Sequence, residues 1–230
     1  MRCLASVQAW CERQGFGYQL IGDELFQLVP EQLRQKLWHR KPVLADLARL
    51  TLMGRHLGGS SDIVLWLDAD CFVVDTAWTP DLSASASFGE EFWIDRDKAG
   101  RLTHFRQPHN AFMVFHTGNP VLPFLEYLSS SLLERVHAEA VAPQMIGPKL
   151  LKTLHNLAMF SLHPKAGALS PLLAEAVVAG EGEALDYFLL KAIPVPRVWN
   201  LCGSLSQTNR HEHNLEKITS CPELLGRLRR

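Results

Sequence analysis

The feature that most constrains this chain is a short apolar segment that is followed directly by two aspartates separated by one residue. Ile63–Leu67 is too short for an independent helix and is rich in β-branched and aromatic residues, so it predicts a strand buried on both faces. Asp68 and Asp70 follow at its carboxyl end. In an open α/β sheet, ligands bind outside the carboxyl ends of the strands, and an extended chain would point both carboxylates the same way.

A carboxylate pair at this position predicts a site for a hard divalent cation. Mg²⁺ and Mn²⁺ prefer one or two carboxylates, and water and substrate phosphate oxygens complete their coordination. The alternative is two solvated aspartates that open a turn. Further polar residues close to the pair would favour the cation site over the solvated turn.

The bulk properties exclude several classes of protein. A chain of 230 residues can bury a sizeable core, and we expect one domain over residues 1–230. The formal net charge is -1 and the basic run is confined to residues 227–230, so we expect no nucleic-acid partner. Without a stretch of about 20 apolar residues, we expect no transmembrane segment and a cytoplasmic protein, and peripheral membrane contact stays open.

Periodicity and turn residues predict a mixed α/β fold. The helical segments are Leu4–Arg13, Pro42–Leu57, a helix from Asn119-Pro120 to Val136, and one from Gly147-Pro148 to Leu157. The strand segments are Tyr18–Ile21, Ile63–Leu67, Ala111–Phe115 and Val195–Trp199, together with a β-hairpin between Glu91 and Arg106. Because a hairpin pairs its strands antiparallel, the sheet is expected to be mixed.

Two charged residues lie within the helix predicted from Pro42. Asp46 and Arg49 are three residues apart and share one helix face. A simple intrahelical ion pair would contribute only about 0.5 kcal/mol. Alternatively, Asp46 accepts hydrogen bonds from a sugar or ribose hydroxyl, and Arg49 presents its planar donors to phosphate or sugar oxygens.

These residues together resemble a known family. Leu44–Arg49, followed by Gly58-Gly59 and Leu67–Asp70, is similar to the core of the DXD sugar-binding glycosyltransferases, nucleotide-sugar enzymes of the GT-A fold that include capsular and lipopolysaccharide sugar transferases. The resemblance is strongest over residues 41–75. It implies a single-domain GT-A-like, Rossmann-related mixed sheet flanked by helices, with the β-hairpin after the Asp-x-Asp strand.

The resemblance extends to later segments of the chain. His109–Val114 is similar to the family segment in which an asparagine faces the donor sugar, which assigns that role to Asn110. Ile146-Gly147-Pro148 is similar to the family's glycine-proline helix start. Related enzymes complete the metal site with a His-x-x-Gly sequence, and the matching tetrad here is Asn200–Gly203. An amide oxygen of Asn200 would replace the imidazole, which a hard cation accepts.

Two departures from the family pattern are expected to matter. The GT-A fold usually starts with a strand that helps to build the nucleotide pocket, whereas this chain starts with a helix. Either the start is late or the pocket is completed differently. The metal-binding histidine is also missing, which leaves His163, His211 and His213 as alternatives to Asn200.

The resemblance implies a metal-dependent glycosyltransferase of the hexosyltransferase type, retaining the anomeric configuration and serving polysaccharide biosynthesis. Its donor would be a UDP- or GDP-sugar and its acceptor a glycan or other hydroxyl compound. Asp68 and Asp70 would be the catalytic residues and, with Asn200, would hold Mn²⁺ or Mg²⁺. Asp46, Arg49 and Asn110 would bind the donor.

Two alternatives remain open at this point. In a haloacid-dehalogenase-like phosphohydrolase, the first aspartate of an Asp-x-Asp pair attacks phosphate and the second acts as acid or base. A non-catalytic nucleotide-sugar or carbohydrate-binding protein of the same fold would keep the site without turnover. Hydrolysis of a generic phosphate ester would favour the first, and binding without turnover would favour the second.

Overall fold

The computed structural model describes residues 2–59, 61–158, 160–191, 194–205 and 209–229 and shows a mixed α/β protein. The helices of the described residues are α1 Arg2–Gln14, α2 Glu31–Lys36, α3 Lys41–Leu57, α4 Val121–Arg135, α5 Pro148–Ala158, α6 Pro171–Ala179, α7 Glu183–Lys191 and α8 Asn209–Ser220. The strands are β1 Ile63–Leu67, β2 Cys71–Val73, β3 Ala86–Arg96, β4 Leu102–His116, β5 Ser161–His163, β6 Ala166–Ala168 and β7 Val198–Asn200.

The larger sheet has four strands in the order β1-β4-β3-β5. Strands β1 and β3 pair antiparallel with β4, whereas β5 pairs parallel with β3. The pairing of β3 with β4 is irregular between Phe88 and Gly89, where β4 bulges around Asn110. The sheet is therefore mixed, as the sequence predicted.

The smaller sheet has three strands in the order β2-β7-β6. Strand β2 pairs antiparallel with β7, and β6 pairs parallel with β7. In the first of these pairs Cys71 lies opposite Asn200. This register brings the segment after the Asp-x-Asp motif beside a strand about 130 residues later.

Apolar packing joins the two sheets to the helices. One buried cluster packs α3, α4 and α5 against the larger sheet, and a second packs α6 and α7 against Phe92 and Trp199. A third cluster holds α1 over β2, where the Trp10 indole donates a hydrogen bond to the Trp78 carbonyl at 2.8 Å. Burial of this kind contributes about 25 cal/mol per Å² of apolar surface and fixes the strands that carry the site.

The four helices predicted from the sequence are confirmed, and local signals set their ends. The side chain of Asn119 accepts a hydrogen bond from the Leu122 amide at 3.0 Å and so caps the start of α4. Helix α3 ends at Leu57 with Gly58 as its C-cap residue, as the glycine pair predicted. The predicted hairpin is also confirmed, with Gly100 at φ +78° in its turn and the predicted strand Ala111–Phe115 forming the last part of β4.

Two expectations about strands are wrong. Tyr18–Ile21 is not a strand, because it pairs with none of the described strands, and Tyr18 and Leu20 are exposed instead of packing on a sheet. Ile63–Leu67 does form β1, but at the edge of the larger sheet, antiparallel to β4 and only half-buried. A continuous apolar run fits an edge strand under a helix as well as a central parallel strand, since periodicity does not separate them.

None of the described helices has the length and apolar character needed to cross a membrane.

Candidate metal and donor site

The two aspartates of the Asp-x-Asp motif lie in a tight turn after β1. The Asp68 amide donates to the Ala111 carbonyl at 3.0 Å, which continues the pairing with β4 by one step. The Cys71 amide then donates to the Asp68 carbonyl at 2.9 Å and closes the turn. The chain is not extended here, so period-two geometry does not orient the carboxylates. Instead, each carboxylate is held by its own set of donors.

Asp68 is held on the side of helix α3. Its Oδ1 accepts hydrogen bonds from Arg49 Nη1 at 2.7 Å and from the Trp66 indole at 2.6 Å. The Arg49 guanidinium also lies over the Trp66 ring, 5.3 Å from its centroid. Because these described contacts all converge on Oδ1, they leave Oδ2 as the atom of Asp68 that is suited to a further ligand.

Arg49 bridges the predicted donor-binding residues. Its Nη2 lies 2.9 Å from Asp46 Oδ1, and its Nη1 also donates to the Asn110 carbonyl at 3.0 Å. The Arg49 and Asp46 side chains are 8% and 9% exposed, whereas Asp68 is 25% exposed. The intrahelical ion pair between Asp46 and Arg49 therefore exists. Unlike a pair on the surface it is buried, and Arg49 also pairs with Asp68.

Burial and charge act in opposite directions within this bridge. Burial raises the pKa of Asp46 to about 6, although the Arg49 charge and the Asn110 hydrogen bond oppose the shift. Burial alone would lower the pKa of Arg49, but the carboxylates of Asp68 and Asp46 raise it above its usual value. Arg49 is therefore a permanent cation, while Asp46 is sensitive to pH near neutrality.

The bulge of β4 and the start of α5 complete the donor-binding residues. Asn110 Nδ2 donates to Asp46 Oδ1 at 2.8 Å. Gly147, which precedes α5, packs so closely that a Cβ there would lie 2.8 Å from Asp46 Oδ2 and 3.0 Å from Asn110 Nδ2. The glycine of the Ile146-Gly147-Pro148 segment thus has a steric reason to be a glycine.

We expect Gly147→Ala to lower the free energy of unfolding by about 1–3 kcal/mol, because the added methyl group must displace Asp46 or Asn110 from a packed position. Urea denaturation measures the change. Gly17→Ala is the matched control, since a Cβ at Gly17 would meet nothing within 4 Å. Equal stabilities of the two variants would contradict the close packing around Asp46.

Asp70 is held on the other side of the turn, by the segment that follows β7. Asn200 Nδ2 donates to Asp70 Oδ1 at 3.1 Å, and the Gly203 amide donates to Oδ2 at 2.8 Å. Between them Cys202 has a φ of 52°, in the left-handed region. Burial and the nearby Asp68 charge raise the pKa of Asp70, while the Gly203 amide opposes the shift.

The sequence predicted that Asn200 and Asp70 lie together, but for a different reason. We expected them in a shared crevice at the carboxyl ends of strands, whereas the antiparallel register of β2 with β7 is what joins them. The Asn200 oxygen accepts a hydrogen bond from the Cys202 amide at 2.8 Å, so the contact with Asp70 uses the Asn200 amide nitrogen. This arrangement positions Asp70, and metal ligation by Asn200 stays a prediction.

The charges of this cluster do not balance. Among the described residues that form it, one guanidinium, Arg49, faces the carboxylates of Asp46, Asp68 and Asp70. No group of three or more His, Cys, Asp and Glu side chains in the described ranges could enclose a metal ion. Two half-buried carboxylates instead fit Mg²⁺ or Mn²⁺, whose remaining positions are filled by water and phosphate oxygens.

The alternative histidines lie in different places. His163 is buried and its Nε2 lies 2.7 Å from the Ser87 hydroxyl. His213 is exposed on α8. His211 is buried on the same helix, where burial lowers its pKa and a hydrogen bond with the Cys202 backbone opposes that shift. Of the three histidines, His211 is therefore the one that adjoins the segment after β7, which contacts Asp70.

The sequence did not point to Glu91, a buried carboxyl on β3. The Gln107 amide, directly across the hairpin, donates a hydrogen bond to it. Burial raises the pKa of Glu91 to about 7. Burial raises the pKa of the Cys202 thiol, and the charges of Asp70 and Glu91 add to that rise, so Glu91 lies near the segment that follows β7. A glutamate between the apolar residues Phe88 and Ile94 was the signal that could have revealed it.

We expect Glu91→Gln to stabilise the protein at pH 8 by about 3 kcal/mol, since burial penalises the ionised carboxyl of Glu91 in the folded protein and not in the unfolded chain. Because the pKa of Glu91 is raised, its contribution to the stability of the wild-type protein is most favourable below pH 4.5. This contribution is lost as the pH rises to about 7. Urea denaturation across this range tests the slope. Glu12→Gln, an exposed glutamate that also accepts from a glutamine amide, should change little.

The structure thus brings Asp46, Arg49, Asn110 and Asp68 into one hydrogen-bonded cluster and places Asp70 and Asn200 beside it. No protein-family model matches the chain, and no curated protein or solved structure matches it significantly.

Proposed function

We propose that this protein is a metal-dependent glycosyltransferase that moves a sugar from a nucleotide-diphosphate donor to an acceptor hydroxyl. The observation that carries the proposal is the excess of carboxylate in the cluster around Arg49. Asp70 accepts from an amide and a backbone N–H, which are neutral donors, so its charge lacks a cationic partner among these contacts. Desolvated carboxylates of this kind are stabilised by a bound cation.

Asp68 and Asp70 would hold Mn²⁺ or Mg²⁺. A cation held by these two carboxylates would supply electrostatic stabilisation of the negative charge on the leaving nucleotide diphosphate. The protein's part is orientation. Arg49 and Trp66 fix one oxygen of Asp68, while Asn200 and Gly203 fix the oxygens of Asp70.

The donor sugar would lie against Asp46, Arg49 and Asn110. Arg49 is anchored by two carboxylates and a carbonyl, so its guanidinium keeps one orientation before substrate arrives. Asn110 is anchored on Asp46 in the same way. A rigid donor site of this kind would hold the sugar in a fixed orientation towards the acceptor, which lowers the entropic part of the barrier to transfer.

Further features of the proposal come from the family resemblance. They are a single-domain GT-A fold over residues 1–230, retention of anomeric configuration, a UDP- or GDP-hexose donor, a role in polysaccharide biosynthesis and a cytoplasmic location. The mixed sheets and flanking helices are compatible with that fold.

The phosphohydrolase alternative is less well supported by the site. It requires Asp68 to act as a nucleophile, whereas hydrogen bonds from a guanidinium and an indole to Oδ1 withdraw electron density from this carboxylate.

A thermal-shift screen of UDP- and GDP-sugars, with and without Mn²⁺, tests the proposal. A ligand that binds only the folded state raises Tm, so a donor should raise Tm only when Mn²⁺ is present. Incubation of the stabilising nucleotide sugar with the protein and a mixture of glycan acceptors then shows whether the sugar is transferred and nucleotide is released. Stabilisation without release would favour the non-catalytic binding protein, and cleavage of p-nitrophenyl phosphate would favour the phosphohydrolase.

A further inference from the structure

A concave site lies next to the segment after β7 that contacts Asp70. It has a volume of about 580 Å³ and is open to solvent, within the range of natural small-molecule sites. Strand β3 contributes Trp93 and Asp95, α6 contributes Glu175, and α8 contributes Arg210, His211 and Asn214. The elements that build this cavity are therefore different from α3 and β1, which carry Arg49 and Asp68.

The cavity and the proposed metal site share one segment of chain. Gly203 donates its amide to Asp70, and two residues later Leu205 lies in the cavity wall. His211 also lies in the wall and adjoins the backbone of Cys202. A ligand in the cavity would consequently be held next to the loop that positions Asp70.

Trp93 gives the cavity an aromatic surface. Its ring is half-buried and stacks on Phe105 of β4, with an interplanar angle of 21° and centroids 6.4 Å apart. On α5, the Nζ atom of Lys152 lies 5.8 Å from the centroid of the Phe105 ring. A large ring supported in this way offers a rigid apolar face against which the C–H face of a sugar can pack.

The polar groups of the cavity favour a neutral ligand over an anion. Asp95 and Glu175 carry negative charge, and Arg210 is paired with Glu175. This lining repels phosphate, so the cavity is unsuited to the nucleotide. Sugar hydroxyls both donate and accept hydrogen bonds. They can therefore donate to the carboxylates, accept from Arg210 and do either with Asn214.

We propose that this cavity is a carbohydrate site in which Trp93 stacks on a sugar ring, and that it is the place where a glycan acceptor of the transfer reaction is held. The assignment of that saccharide as acceptor rests on the proposed function. The carbohydrate site itself rests on Trp93, the polar lining and the volume of the cavity. A volume of this size accommodates more than one sugar ring, so a disaccharide or longer chain end fits best.

Saturation-transfer NMR with maltose, cellobiose and lactose tests the proposal, with and without UDP and Mn²⁺. At least one disaccharide should bind the wild-type protein, with an affinity at least tenfold lower in Trp93→Ala. Trp38→Ala is the matched control, because Trp38 is an exposed tryptophan outside the cavity. Trp93→Phe should retain part of the binding, since it keeps an aromatic face.

The controls keep the outcome decisive. Circular dichroism checks the fold of each variant, and Asp95→Ala, at an exposed position in the lining, should weaken binding even if Trp93→Ala fails to fold. Binding of none of the disaccharides, or equal binding by wild type and the two cavity variants, would overturn the site. Saccharide binding at Trp93 without any Mn²⁺-dependent nucleotide binding would support the site and overturn the transferase.

Discussion

We expect Arg49→Ala to lower the free energy of unfolding by about 3–5 kcal/mol at pH 8, the cost of leaving buried charge without its partner. The guanidinium bridges Asp46 and Asp68 at 2.9 Å and 2.7 Å, and both Arg49 and Asp46 are almost fully buried. Urea denaturation of the variant and the wild type measures the change. The variant should also lose binding of any nucleotide sugar.

Two further variants show whether the loss of stability comes from the contacts of Arg49 with Asp46 and Asp68. Arg101→Ala removes an exposed arginine that pairs with Asp97, and it should cost less than about 1 kcal/mol. Arg49→Lys keeps the charge but lacks the planar fork, so it should recover part of the stability and little of the donor binding. A loss below about 1 kcal/mol in Arg49→Ala would contradict the bridging role.

We expect Asp70→Asn to weaken Mn²⁺-dependent nucleotide binding by more than about 100-fold while the fold stays intact, since loss of a direct ligand exceeds the effect of losing its supporting contacts. An asparagine oxygen can still accept one of the two hydrogen bonds from Asn200 and Gly203. The substitution also removes a charge that is disfavoured by burial and by Asp68. Calorimetric titration together with thermal unfolding measures both effects.

Asp75→Asn is the matched control for Asp70→Asn. Asp75 follows β2 and pairs with Arg197 at 3.5 Å at a partly exposed position. Its replacement should leave nucleotide binding unchanged. Asp68→Asn differs from both, because Asp68 is a partner of the buried Arg49, and we expect it to lower stability as well as binding.

The helices and the hairpin could be predicted because their signals are local. The proline at the start of α3, the glycines after it and the asparagine cap of α4 each act within one turn of helix. The contact of Asp46 with Arg49 follows from helical spacing alone. These features need no knowledge of the rest of the chain.

The surroundings of the site could not be predicted in the same way. The edge position of β1 depends on which strand pairs with it, and the apolar sequence of Ile63–Leu67 does not specify that partner. The proximity of Asn200 to Asp70 came from the resemblance, and the antiparallel register that produces it is a long-range property. The burial of Glu91 and His211 likewise depends on segments far away in sequence.

Electron paramagnetic resonance of Mn²⁺ tests the central claim most directly, because the six-line signal of free aqueous Mn²⁺ declines when the ion binds. The wild-type protein should reduce that signal in the presence of UDP or GDP beyond the reduction by nucleotide alone. Asp70→Asn should abolish the additional reduction, and Asp75→Asn should preserve it. Equal reductions by wild type and Asp70→Asn, or none by the wild type, would contradict a metal site at Asp68 and Asp70.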